Sequence, residues 1–160
     1  MILYHGSYLA VEKPNISFSR DDVDFGKGFY TTPIKEQAIR WAERFKLRQG
    51  RQAIISIYEV DEERIYKEFS VMKFDTYSDE WLDFVVASRK GETVGDYDIV
   101  IGGVANDKVF DTIELFLNEL IDKKEAIKRL RYEKPNIQYC FRNQGTIDKL
   151  LTFVSSEVLT

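Results

Sequence analysis

The chain has 160 residues, the size of one ordinary domain (1–160) rather than two, and at this length roughly 70% of the unfolded surface is buried without need of staples. With 27 acids against 23 bases, the net charge of −4 excludes a generally basic nucleic-acid footprint but not a local basic patch. One cysteine and one histidine exclude an intramolecular disulfide and the usual three- or four-ligand Cys/His zinc sites.

The opening residues MILYHGSYLAVEKP carry no basic region, apolar core or small-residue cleavage site, so no signal peptide is expected. No apolar run approaches the roughly 20 residues that span a bilayer. A soluble cytoplasmic domain with no membrane partner and no metal is expected. Aromatic residues, 14% of the chain, either fill a Phe/Tyr-rich core or line a cleft for a flat ring.

Residues 2–5 are β-prone and open into a loop at Gly6-Ser7, Lys13-Pro14-Asn15 marks a turn, and 20–28 is a polar loop punctuated by glycine. A strand at 29–32 stops at Pro33. From there Ile34, Ala38, Trp41, Ala42 and Phe45 follow helical spacing up to Gly50. The run AIISIYEV at 53–60 reads as a strand buried on both faces. A short helix is expected over 62–69, and an amphipathic one over 79–88 with Trp81, Phe84, Val85 and Ser88 on one face. A second buried strand covers 98–104 and includes Gly102-Gly103. Helices over 111–120 and 123–131, a strand over 137–141, a short helix over 146–151 and a β-prone tail at 153–158 complete the pattern. Strands and helices mix without βαβ alternation, which predicts an α+β fold.

Three polar segments sit beside glycine at strand ends. In Tyr4-His5-Gly6-Ser7, glycine lets a ligand approach the backbone, whose N–H and C=O can pair with a carboxamide; the alternative is a core histidine before a turn. In 24–32 (DFGKGFYTT), two glycines flank a lysine, and Tyr30 and Trp41 lie on either side of the strand-to-helix corner. They form a slot for a planar heterocycle, unless Trp41 belongs with Ile34 and Ala38 to a plain core stripe. The strand at 137–141 puts Gln138, Cys140 and Arg142 on one face and Ile137, Tyr139 and Phe141 on the other. A Cys140–His5 nucleophilic dyad is disfavoured, because Cys140 sits mid-strand with no evident basic neighbour to lower its pKa.

Taken together, His5-Gly6-Ser7, FGKGFY and an aromatic eleven positions after that tyrosine resemble the ADP-ribosyltransferase superfamily. The likeness is to its histidine–tyrosine–glutamate branch, the diphtheria-toxin-like and poly(ADP-ribose) polymerase lineage, whose FGKGIYF is close to FGKGFYTT. More narrowly, LYHGS, DFGKGFYTT, the following QAxxWA, DIVIGGVAND and QYCF resemble the bacterial family catalogued as domain of unknown function 3990, over nearly the whole chain.

The resemblance implies a split β-sheet core with flanking helices and an NAD+ cleft between the sheet halves. It implies that His5 holds an NAD ribose hydroxyl, that the Gly6 backbone pairs with the nicotinamide carboxamide, and that Ser7 assists on the adenosine side. Tyr30 and Trp41 would take the two faces of the nicotinamide, in a site that includes Gly28, Phe29, Thr31 and Ala38. Gln138 stands at the third, usually glutamate, position, with Gln144 and Glu133 as fallbacks. Two departures are evident: Ala38 replaces the serine of the polymerases, and Gln138 replaces their glutamate. Glutamine accepts from a ribose hydroxyl but is no carboxylate base, which disfavours chain elongation and leaves transfer of one ADP-ribose. On sequence alone, Gln138→Glu restores the carboxylate at nearly constant volume and is expected to retain or raise NAD+ cleavage.

The implied activity is NAD+-dependent mono-ADP-ribosyl transfer to a protein or nucleic-acid acceptor, with release of nicotinamide. The implied setting is a bacterial toxin paired with a small antitoxin. The alternatives are an NAD-binding or partner-binding pseudoenzyme and an NAD glycohydrolase. The basic stretch 123–134 (KKEAIKRLRYEK) is either a solvated helix face or a nucleic-acid contact.

Overall fold

The computed structural model describes residues 1–19 and 23–160; Arg20, Asp21 and Asp22, the start of the expected 20–28 loop, lie outside the described residues. Among the described residues the fold is mixed α+β, with two sheets. Strands β1 (Ile2–Ser7), β3 (Ala53–Glu59) and β7 (Thr152–Leu159) form one, in the order β1-β3-β7 and all antiparallel. The other has the order β2-β6-β5-β4, from β2 (Phe29–Thr31), β4 (Val71–Lys73), β5 (Ile99–Gly103) and β6 (Ile137–Phe141). Only its β4–β5 pair is parallel.

The continuous apolar runs are explained by layers on both faces of the second sheet. Ile99, Ile101, Tyr139 and Phe141 point inward and pack with Leu3 and Tyr58 of the first sheet and with Ile65. Val100 and Cys140 point the other way, onto Trp81, Val85, Val109 and Ile113 from helices α3 (Asp79–Arg89) and α4 (Asp107–Leu117). Helix α1 (Lys35–Gln49) covers the far face of the first sheet, where Ala38 and Ala42 meet Ala53 and Ile55. Each fully buried large apolar side chain in these layers contributes about 1.5–3 kcal/mol. Helix α2 (Glu62–Glu68) seats Ile65 in the layer between the sheets, α5 (Lys123–Leu130) packs Ala126 and Leu130 beside α4, and α6 (Gln144–Leu150) follows β6.

Helix boundaries follow local hydrogen bonds. Ser78, Asp122 and Asn143 cap α3, α5 and α6 close to the expected starts, each cap being worth about 1 kcal/mol. The helix expected over 111–120 instead begins at Asp107, because the Asn106 side chain accepts from the Val109 N–H at 3.0 Å. It stops at Leu117, and Glu119 lies in the left-handed region at φ 59°. Helix α1 starts two residues after Pro33, since Ile34 is extended and its N–H is taken by Thr32 Oγ1 at 3.1 Å. The basic stretch is largely α5, where Lys123 pairs with Asp83 at 2.9 Å and Arg129 with Glu125 at 3.0 Å. No helix among the described residues is long and apolar enough to cross a membrane.

Candidate functional site

Among the described residues, the two sheets meet through β1 and β2 at a single antiparallel rung. Tyr4 N–H donates to Thr32 O at 2.8 Å, and Thr32 N–H donates to Tyr4 O at 2.9 Å. A continuing ladder would next join Gly6 to Tyr30. Instead the strands part, and His5 Nδ1 lies 2.7 Å from Tyr30 O, replacing the lost rung.

Gly6 is left facing the gap. The Met1–Val60 bonds make the odd-numbered residues of β1 the hydrogen-bonded partners of β3, so backbone groups of Tyr4 and Gly6 point toward β2. Tyr4 is satisfied by Thr32, whereas Gly6 N–H and C=O have no partner on that side among the described residues. On its other face, Gly6 is pressed against α1. A Cβ there would overlap the Ala38 carbonyl oxygen and lie 2.9 Å from the Ala42 nitrogen. The small Ala38 side chain is itself sealed, packed with Ala42, Ala53 and Ile55.

A carbonyl oxygen only accepts, so the His5 proton sits on Nδ1 and Nε2 presents a lone pair. Burial lowers the pKa of His5 below 6.5, opposed by the bond to Tyr30, and keeps the ring neutral. Its ring packs 4.4 Å from that of Phe29. Ser7 pairs with Ile54 at the end of β1, and Thr31 Oγ1 donates to Tyr139 O at 3.3 Å.

Tyr30 closes the glycine loop on itself. Its hydroxyl donates to Gly26 O at 2.6 Å and accepts from Phe25 N–H at 3.0 Å. Burial, reinforced by the neighbouring Cys140, pushes its pKa well above 10, so the donor is permanent. Gly28 fits because a Cβ would overlap Cys140 Sγ, and its N–H donates to Ser19 Oγ at 2.8 Å. Trp41 is partly exposed on α1 and belongs to none of the core clusters, so the core-stripe alternative does not describe it. No ring contact joins Trp41 to Tyr30 among the described residues, and Tyr30 stacks on Phe25 at 6.5 Å.

Gln138 and Tyr30 share one face of the second sheet, each beside Cys140. His5 reaches this strand through the Tyr30 backbone, and no contact joins His5 to Gln138 among the described residues. Gln138 is almost fully buried; its Nε2 points at Asp24 Oδ2 (3.4 Å) and Gly103 O (3.5 Å). Both are acceptors, which fixes the amide with NH2 inward. Oε1 has no partner among the described residues, and no sealed side-chain oxygen there lacks one, so Oε1 is not wholly sealed from solvent.

Asp24 and Arg89 were not singled out by the sequence. Arg89 Nη2 and Nε donate to Asp24 Oδ1 at 2.6 and 3.1 Å, and Ala105 N–H donates to Oδ2 at 3.2 Å. The Arg89 guanidinium also lies over the Phe110 ring at 4.8 Å. Gln144 is committed elsewhere, accepting from Ile16 N–H and donating to Pro14 O, both at 2.9 Å. Glu133 lies near enough to Tyr77 for its charge to act on that phenol, whose pKa is pushed up to about 12 mainly by burial.

Cys140 is sealed, and burial pushes its thiol up to about 12. With His5 Nδ1 committed to Tyr30 O, the nucleophilic dyad has no geometry to stand on. Iodoacetamide at about pH 8 is expected to leave Cys140 unmodified in native protein and to label it after denaturation. Labelling at equal rates in both states would contradict this burial. Among the described residues no group of three or more His, Cys, Asp or Glu is placed to hold a metal.

The model of the family described as "Protein of unknown function (DUF3990)" matches residues 1–153, and the chain belongs to that family. No curated protein and no solved structure matches the chain.

Proposed function

We propose that this DUF3990 member binds NAD+ where the two sheets part and transfers one ADP-ribose to a macromolecular acceptor, in the manner of the ADP-ribosyltransferases it resembles. The observation that carries this reading is the N–H and C=O of Gly6, without a partner among the described residues, beside a neutral histidine at the sheet seam. One donor and one acceptor on a single residue match a carboxamide, which offers the complementary pair. His5 Nε2 accepts from a ribose hydroxyl, and Gln138 Oε1 is a second acceptor for one. The partly exposed Trp41 supplies a face for the nicotinamide ring.

The chemistry asks mainly for positioning. The C1′–N1 bond breaks, and its electron pair goes to the pyridinium nitrogen, giving neutral nicotinamide. The oxocarbenium ion takes a lone pair from the acceptor, whose proton leaves to solvent. Uncharged acceptors at the ribose favour the charge developing there. In this reading the protein is a toxin with a small protein inhibitor, and the acceptor is a protein or nucleic acid.

Nicotinamide release from NAD+ by purified protein, with and without cell extract, tests the reading. Release that grows with extract and leaves a covalent ADP-ribose adduct supports transfer; release without adduct would make it a glycohydrolase. Binding without release would make it a pseudoenzyme. Trp41→Ala is expected to weaken NAD+ binding by about 1–3 kcal/mol with the fold intact. Unchanged affinity by calorimetry would remove Trp41 from the site.

A further inference from the structure

We propose that Asp24, anchored by Arg89, is a positioning residue that sets the amide of Gln138 so that this side chain meets a ligand hydroxyl as an acceptor. The inference rests on the NAD+ reading above and names the device that makes glutamine serviceable at the third position. A glutamine amide can present either end. Here Asp24 Oδ2 and Gly103 O both face Nε2, which leaves the carbonyl end as the one without a partner among the described residues.

Asp24 is itself held rigidly. Its Oδ1 takes two donors from Arg89 and its Oδ2 takes the Ala105 N–H as well as Gln138. The carboxylate and guanidinium are 12% and 18% exposed, so solvent does not compete freely for either. The cluster joins the glycine loop, the end of α3, the β5–α4 connection and β6. A ribose, with its vicinal hydroxyls, is the ligand class that an acceptor of this kind suits.

This arrangement reverses the expectation for Gln138→Glu. A carboxylate at 138 faces the Asp24 carboxylate and the Gly103 carbonyl with no donor between them, and like charges repel. Exchanging the partners restores a donor–acceptor pair at this contact: in Asp24→Asn with Gln138→Glu, the asparagine NH2 donates to the glutamate, at the cost of the Ala105 N–H bond.

The test compares wild type, Asp24→Asn, Gln138→Glu and the double variant by nicotinamide release from NAD+ and by thermal unfolding. Each single variant is expected to lower kcat roughly tenfold to a hundredfold, with KM changed less than about threefold, as for lost positioning. The double variant is expected to recover part of kcat, above either single variant. A double variant no better than the worse single one overturns the proposal, as does an Asp24→Asn variant with wild-type kcat. Should a single variant not fold, Arg89→Lys keeps the charge but not the two-pronged grip on Oδ1, and lowers kcat without changing KM; unchanged kcat there overturns the proposal too. If wild type releases no nicotinamide, the catalytic reading fails, and unfolding alone decides on the amide. Recovery in the double variant of the midpoint lost in the singles supports the Asp24–Gln138 coupling, and absence of recovery overturns it.

Discussion

Replacing Gly6 by alanine is expected to destabilise the protein by about 1–3 kcal/mol and to abolish NAD+ binding together. The added methyl overlaps the Ala38 carbonyl oxygen and crowds the Ala42 nitrogen, both backbone atoms of α1 that no side-chain rotation can move away. Either α1 lifts from the sheet or β1 shifts away from α1, and a shift of β1 displaces the N–H and C=O that face the gap. Urea unfolding reads the first effect as a lower midpoint at unchanged slope, and calorimetry with NAD+ reads the second. A variant with the wild-type midpoint would show that α1 does not press on β1 here.

The second large effect is expected at His5. His5→Ala leaves Tyr30 O without its donor, at a cost of about 1–3 kcal/mol for a largely desolvated acceptor, and removes the Nε2 lone pair from the site. The wild-type histidine also links stability to pH. Its folded pKa lies below the unfolded 6.5, so the unfolded chain binds the proton more tightly. The contribution of the neutral ring is fully present above pH 6.5 and is lost as pH falls through the folded value. NAD+ affinity should fall over the same range, because protonation turns Nε2 from acceptor to donor. His5→Asn keeps a donor near Tyr30 O but does not titrate, so its unfolding midpoint should vary less between about pH 7.5 and about pH 5 than that of wild type. Equal pH dependence in the two proteins would assign the effect to other groups.

Much of the fold was legible because its strands are buried on both faces. AIISIYEV and the 98–104 run carry nearly continuous β-prone apolar residues, IQYCF alternates a polar with an apolar face, and the structure puts a strand at each. The three-residue β4 is too short to show a period, and it is held by parallel pairing with β5, a contact 28 residues along the chain. Start of α4 was misplaced because Asn106 looks like the end of a strand until its side chain is seen capping Val109. In α1, helical spacing put Trp41 on the apolar stripe with Ala38, but close approach over Gly6 narrows the buried strip to Gln37, Ala38 and Ala42.

The candidate site divides in the same way. His5, Gly6 and Tyr30 were visible as polar or glycine residues at strand ends, and the structure brings them to one seam. The Gly6 contact with α1 was not visible, since nothing in a single chain segment announces which helix will cross it. Asp24 and Arg89 escaped notice because their link spans 65 residues and the link of Asp24 to Gln138 spans 114. Periodicity reports neighbours on one element and is silent about such pairs. The one local signal was an acidic residue at the head of a glycine loop, which on a surface loop calls for no explanation.

The central claim is that the Gly6 backbone receives the nicotinamide carboxamide. The most direct measurement is a titration of 15N-labelled protein with NAD+, followed at the Gly6 amide resonance. The account predicts a saturable shift of Gly6 that is larger than the shifts of residues on the far side of α1, and that is reproduced in part by nicotinamide alone. Saturable binding that leaves the Gly6 amide unmoved, or no binding at millimolar NAD+, would contradict it.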